Sequence, residues 1–218
     1  MKKDKPNIAI VDFGTNNLFS IKKALEISGA TTFISRKKEE ILLADALILP
    51  GVGAFDKAMS SLIENDLVET IKKFSNNGKY ILGICLGMQL LMDSSKEFGS
   101  HDGLGLIKGV CKKFDNSKLK VPHIMWNKIN VVKENDFLNI FPESLSESDS
   151  QMYFIHSYYV EPQERTSILA RTLYNDFEFC SAIQKNKIIG FQFHPEKSAF
   201  EGIQILKNFI NLLNNDSK

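Results

Sequence analysis

The stretch Tyr80-Ile81-Leu82-Gly83-Ile84-Cys85-Leu86-Gly87-Met88-Gln89 reads as a buried strand that runs into a sharp turn, with a cysteine at the corner and a helix behind it. Gly83-x-Cys85-x-Gly87 is the thiol counterpart of the Gly-x-Ser-x-Gly nucleophile elbow. Glycines flank the corner because the turn leaves no room for side chains. The cysteine is then presented at a helix N-terminus, where free N–H groups and the helix dipole favour thiolate. A buried structural cysteine is the competing reading, since free Cys is among the most buried residue types. Two tight glycines at a strand-to-helix switch favour the nucleophile.

Working outward, Asn7 to Val11 reads as a first buried strand, followed by turn chemistry over Asp12 to Asn17. Leu18, Ile21, Leu25 and Ser28 recur at helical spacing until Gly29. Thr31 to Ile34 and Ala46 to Leu49 read as strands, the second ended by Pro50-Gly51-Val52-Gly53. One long amphipathic helix is predicted next, with Ala58, Leu62, Ile63, Leu67, Ile71 and Phe74 on its apolar stripe and Asn76-Asn77-Gly78 at its end. Such β-α alternation predicts an α/β fold of three layers, a mostly parallel central sheet with helices on both faces.

Beyond Gly103 the pattern turns to short strands, predicting a smaller antiparallel region. The candidates are Lys128 to Val132, Met152 to Val160, Ser167 to Leu173 and Phe179 to Gln184. Ser144 to Ser150 reads as a surface loop. Ile188 to Phe193 is a last apolar strand, leading into His194-Pro195-Glu196, and a closing helix spans about Phe200 to Leu213 before a frayed tail from Asn214. No linker divides the chain, so a single domain over 1–218 is expected.

The 218 residues suffice for a substantial core, and 43% hydrophobic with 24% charged residues is ordinary for a globular protein. A net charge of +1 argues against nucleic-acid or anionic-membrane partners. The charged N-terminus and short first apolar run do not form a signal peptide. Three cysteines (Cys85, Cys111, Cys180) without an export signal point to a reducing cytoplasm rather than to disulfides. None of the four histidines stands at metal-ligand spacing, so neither a metal nor a cofactor is expected.

A thiolate attacking a carbonyl needs a proton shuttle. His194 follows an apolar strand and so belongs to the sheet edge where Cys85 also sits. Glu196, two residues on along an extended segment, would share its side and orient the imidazole. His101 reads as solvated in a polar loop, and His156 as core or site wall. The oxyanion that forms needs donors: Leu86 N–H is one, and the Gly51-Val52 loop can turn a second toward the site.

These residues resemble the class I glutamine amidotransferases, and within them the glutaminase subunit of imidazole glycerol phosphate synthase. The resemblance rests on Pro50 to Phe55, Gly83 to Leu91, Tyr153 to Tyr158 and Gly190 to Ser198, in the family's order. It implies attack of Cys85 on the side-chain amide of glutamine, with His194 and Glu196 completing a triad. It also implies a glutamine pocket lined by Gln89, Glu97, Ser157 and Tyr158. The partner it implies is a (β/α)8-barrel cyclase subunit in a heterodimer, with Asn16, Trp126 and Lys197 near the interface and ammonia crossing it. Where the family has Met-Gly before the tryptophan, this chain has Ile124-Met125. That departure motivates a second reading, a paralogous glutaminase serving another acceptor such as sugar amidination. A free-standing cysteine hydrolase and a non-catalytic binding module are the readings from other classes.

Overall fold

In the computed structural model, residues 5–14, 17–132, 140–142, 145 and 151–216 are described. The first half alternates as expected: β1 (Asn7–Val11), α1 (Leu18–Ser28), β2 (Thr31–Ser35), α2 (Lys38–Leu43), β3 (Ala46–Leu49), α3 (Phe55–Glu64), α4 (Leu67–Asn76), β4 (Tyr80–Ile84) and α5 (Leu86–Leu90). The strands β5 (Met92–Ser95), β6 (His101–Asp102), β7 (Ile107–Lys113), β8 (His123–Asn127), β9 (Asn130–Val131), β10 (Met152–His156), β11 (Tyr158–Pro162), β12 (Ile168–Tyr174), β13 (Phe177–Lys185) and β14 (Ile188–Phe191) follow, and α6 (Ala199–Asp216) closes the chain.

The main sheet runs β2-β1-β3-β4-β14-β13-β11-β7-β5-β6, with β12 on β13 and β9 on β12. Its β2-β1-β3-β4-β14 block is parallel throughout. Past β14 the pairing is mainly antiparallel. A separate two-stranded ribbon pairs β8 with β10. Within the parallel block, side chains alternate between two cores as the strand period requires. Ile8, Ile10, Leu82 and Ile84 face α1 and α6, while Ala9, Val11, Leu47 and Leu49 face α3 and α4. This is the three-layer α/β architecture. None of the described helices is long and apolar enough to cross a membrane.

Parallel register decides where function collects. Leu49 lies opposite Gly83, and Phe191 opposite Ile84. The loops after β3, β4 and β14 therefore leave the sheet at one carboxyl edge, where ligands of open α/β sheets bind.

Several local expectations are corrected. The long helix is two helices, because Asp66 takes a left-handed turn at φ 52°, which short polar side chains tolerate. Ile63 therefore leaves the apolar stripe and is 60% exposed. Helix α2 went unforeseen because six residues with one buried position, Ile41, carry no readable period. The Met152 to Val160 run breaks at Ser157, whose carbonyl accepts from Phe114 N–H at 3.1 Å, so β10 and β11 belong to different sheets. Within Lys128 to Val132 only Asn130 and Val131 form a strand. Of the polar run Ser144 to Ser150, only Leu145 is among the described residues, and it is buried. The predicted frayed end is helical through Asp216, which pairs with Lys187.

At the elbow, a Cβ on Gly87 would stand 1.7 Å from the Leu49 carbonyl oxygen, and one on Gly83 would stand 2.7 Å from the Gly87 backbone. Both obstacles are backbone and have no rotamer with which to yield. Gly87→Ala is expected to lower unfolding free energy by about 3 kcal/mol or more, measured by denaturant titration against the parent protein.

Candidate active site

Cys85 links β4 to α5 with φ 53° and ψ −107°, a sparsely populated conformation for a residue with a Cβ. Its N–H donates to the Phe191 carbonyl at 2.7 Å. That bond carries the β4–β14 pairing one residue past the strand and holds the corner against the site. The sulfur lies 3.8 Å from the Ile155 carbonyl oxygen and 3.6 Å from Gln192 Nε2.

His194 and Glu196 side chains are 1% and 2% exposed, and Nδ1 meets the Glu196 Oε1 at 2.8 Å. The approach differs from the extended segment expected: Glu196 sits in a 3-10 turn, Pro195–Lys197, that swings the carboxylate back to the ring. Two bonds tie this turn to β10, and a third closes the turn on itself. His194 N–H donates to the Tyr153 carbonyl at 2.9 Å. Tyr153 N–H donates to Ser198 Oγ at 3.0 Å, and Ser198 Oγ–H donates to the His194 carbonyl at 2.6 Å. Burial alone would push the imidazole pKa down; the Cys85 sulfur and the Glu196 carboxylate outweigh it and raise it to about 10. Among the described residues His194 Nε2 is buried without a hydrogen-bond partner, and catalytic hydrogen bonds are often long in unliganded sites.

A cavity of about 280 Å³ opens beside the sulfur. Of the residues expected at the site, Val52, Leu86, Gln89, Glu97, Ser157 and Tyr158 all line it together with Cys85. Glu97 Oε2 accepts the first N–H of α3, from Phe55, at 2.6 Å, and burial is the main cause raising its pKa. Gly51 is buried one residue behind the lining Val52, and Gly51 and Gly53 take positive φ, 156° and 134°. Trp126 and Lys197 lie outside the cavity on the exposed surface. Asn16 falls outside the described residues. His101 is not the solvated loop residue expected: it is half-buried in β6.

Three features escaped the sequence reading. Asn17, at the left-handed start of α1, donates from Nδ2 to Glu196 Oε1 at 3.0 Å. Gln192, two residues before His194, points at the sulfur; alternation along the final strand was the available signal. His123 and His156 form a buried pair, Nδ1 to Nε2 at 2.9 Å. Burial lowers their pKa values to about 4 and about 3, keeping both neutral. His156 also lines the cavity, which resolves it as site wall.

A strained elbow cysteine that lines a cavity, and a carboxylate-oriented imidazole whose pKa that cysteine raises, at a parallel sheet edge, define a class. The family model described as "Glutamine amidotransferase class-I" matches residues 9–212, and the chain belongs to that family. Among curated relatives, it is 46% identical to the imidazole glycerol phosphate synthase subunit HisH of Sulfurimonas denitrificans, covering 95% of this chain and 99% of that one. It is 41% identical to the subunit of the same name from Chlorobaculum tepidum, over 93% and 98% of the two chains. Solved structures share the fold at lower identity. PurLQS from Thermotoga maritima aligns with a TM-score of 0.72 at 21% identity, covering 98% of this chain and 100% of that one. A crystal structure described as a glutamine amidotransferase aligns with a TM-score of 0.69 at 18% identity, covering 95% and 98%.

The raised imidazole pKa has a signed consequence. A histidine raised above its unfolded value of about 6.5 contributes stability in full below that pH and loses it as pH climbs through about 10. Glu196→Gln removes one cause of the rise. Its stability deficit, about 2–4 kcal/mol near pH 6, is expected to shrink as pH approaches 10, read from paired denaturation curves across that range.

Proposed function

We propose that this chain is the glutaminase subunit of an imidazole glycerol phosphate synthase, hydrolysing glutamine to glutamate and ammonia for histidine biosynthesis. The observation that carries the reading is that the Cys85 sulfur lines the cavity and acts on the His194 imidazole, which Glu196 holds from its other nitrogen. The sulfur attacks the carboxamide carbon of glutamine. Charge gathers on the amide oxygen, where the N–H groups of Leu86 and of Val52 in the glycine loop would receive it. His194, protonated and held by Glu196, gives its proton to the departing nitrogen, and ammonia leaves a glutamyl thioester. The imidazole then takes a proton from water, hydroxide adds to the thioester, and glutamate is released as the sulfur regains its starting state. Gln89, Glu97, Ser157 and Tyr158 are assigned to the ends of the bound glutamine, which their lining of the cavity supports.

Ammonia released into water near neutral pH becomes ammonium, which has no lone pair for attack, so the product is of use only if passed on directly. We assign the acceptor chemistry to a (β/α)8-barrel cyclase subunit in a heterodimer. Ile124, Met125 and Trp126 of β8 are each about half exposed. Ile155, opposite Ile124 on the ribbon, lines the cavity. An apolar face joined to the site by one strand pair suits such a partner. Lys197 stands exposed beside Glu196, and Asn16 is kept as an interface residue. The relatives' shared name favours this acceptor over sugar amidination despite Ile124-Met125. The chain is read as one domain working in the cytoplasm, in keeping with three buried free cysteines.

Glutamine turnover measured with and without the co-expressed barrel cyclase and its acceptor substrate tests this. Turnover is expected to rise roughly 5- to 150-fold with the liganded partner and to vanish in Cys85→Ala under both conditions. Trp126→Ala is expected to weaken the stimulation while sparing partner-free turnover. Fast hydrolysis that the partner leaves unchanged would instead make this a free-standing hydrolase.

A further inference from the structure

Behind the cavity runs a chain of buried polar groups whose hydrogens can be assigned without ambiguity. It begins at the Tyr158 carbonyl, which can only accept. Gln89 approaches that oxygen with Nε2 at 3.0 Å, and His156 with Nδ1 at 2.8 Å. Both must therefore donate. A His156 that donates from Nδ1 and stays neutral has Nε2 left to accept, which it does from His123 Nδ1. The amide of Gln89 is now oriented. Its Nε2 also faces the Oε1 of Gln192 at 3.3 Å, so the Gln192 oxygen is the acceptor there and its amide cannot be turned over. The opposite end of that amide, Nε2, is left 3.6 Å from the Cys85 sulfur. Gln192 is fully buried, so water does not compete for this donor.

We propose that Gln192 is a further catalytic residue, whose amide N–H donates to the Cys85 sulfur and favours its anionic form. Gln89, besides facing the cavity, is the positioning residue that holds the amide donor-first. The donor acts before substrate arrives and adds to the effect of the imidazole. A hydrogen bond to an ion is stronger than one to a neutral group, so the contact selects thiolate over thiol. It also places a fixed dipole where negative charge is lost on attack and regained when the thioester opens, with no solvent to reorganise. The proposal rests on Cys85 being the nucleophile.

Other titratable groups face the same sulfur and stay constant in the test. They are His194 and Glu196 beyond β14, His156 and Tyr158 from β10 and β11, Glu97 beyond β5, and Cys111 on β7. Burial pushes the Cys111 and Cys180 thiols well up, so they serve as unreactive internal controls.

The experiment is alkylation of the purified, glutamine-free protein by iodoacetamide from about pH 5 to about pH 9, with labelling of Cys85 followed by mass spectrometry. Gln192→Met keeps the length of the side chain and removes the donor. Its labelling midpoint is expected to move up by about one pH unit. Gln89→Met supplies a second arm. It removes the donor that fixes the Gln192 amide and adds no charge, so that amide is free to turn its oxygen to the sulfur. That midpoint is expected to move the same way with no glutamine present, whereas a residue that only binds substrate would leave it alone. Labelling curves of both variants that superimpose on the wild type overturn the assignment. A wild-type Cys85 that resists labelling below about pH 9 ends the nucleophile reading, and the proposal with it.

Discussion

The turn at Cys85 governs this molecule. A residue with a side chain is held at φ 53° and ψ −107°, a conformation that costs about 1–3 kcal/mol in isolation. It persists because neighbours over-determine it. The Cys85 N–H is claimed by the Phe191 carbonyl, and the Gly87 backbone is packed so closely on Leu49 that only a hydrogen fits between. β4 lies between β3 and β14 in the parallel block. A shift at the corner would disturb three strands at once. The strain aims the sulfur out of the sheet, at the edge where the other two loops arrive.

Around that corner the protein gathers polar groups that are mostly buried. Buried polarity is costly unless satisfied, and here nearly every group has a partner that also sets its direction. Glu196 Oε1 receives both His194 and Asn17. The Tyr158 carbonyl receives both Gln89 and His156. Among the described residues, His194 Nε2 and Glu196 Oε2 are buried without a hydrogen-bond partner, and a buried unpaired group in a native structure calls for an explanation, a bound ligand among them.

The ribbon of β8 and β10 joins this interior to the outside. Its inner residues, His123, Phe154 and His156, are buried, while Ile124, Met125 and Trp126 are exposed. Tyr153 on the same ribbon bonds to both His194 and Ser198. A partner seated on the outer face would press on strands that already hold the imidazole and the pocket wall. That gives a short physical route by which occupancy of the surface can alter the site.

Much of this was written in short stretches of chain. The elbow, the glycine loop, the final strand with His-Pro-Glu and the alternation of strands with helices are local patterns. Backbone sterics and burial periodicity act over a few residues and can be read directly, so the fold class, the elbow at Cys85, the His194–Glu196 pairing and most of the cavity wall were legible. Tertiary packing decided the rest. Asn17 reaches Glu196 across 179 residues of chain, and Gln192 reaches Cys85 across 107. The break at Ser157, the left-handed turn at Asp66 and the facing of the Gln192 amide depend on which groups arrive opposite. No periodicity encodes such meetings, because an amide or a carboxylate takes its direction from a partner that only the folded chain supplies.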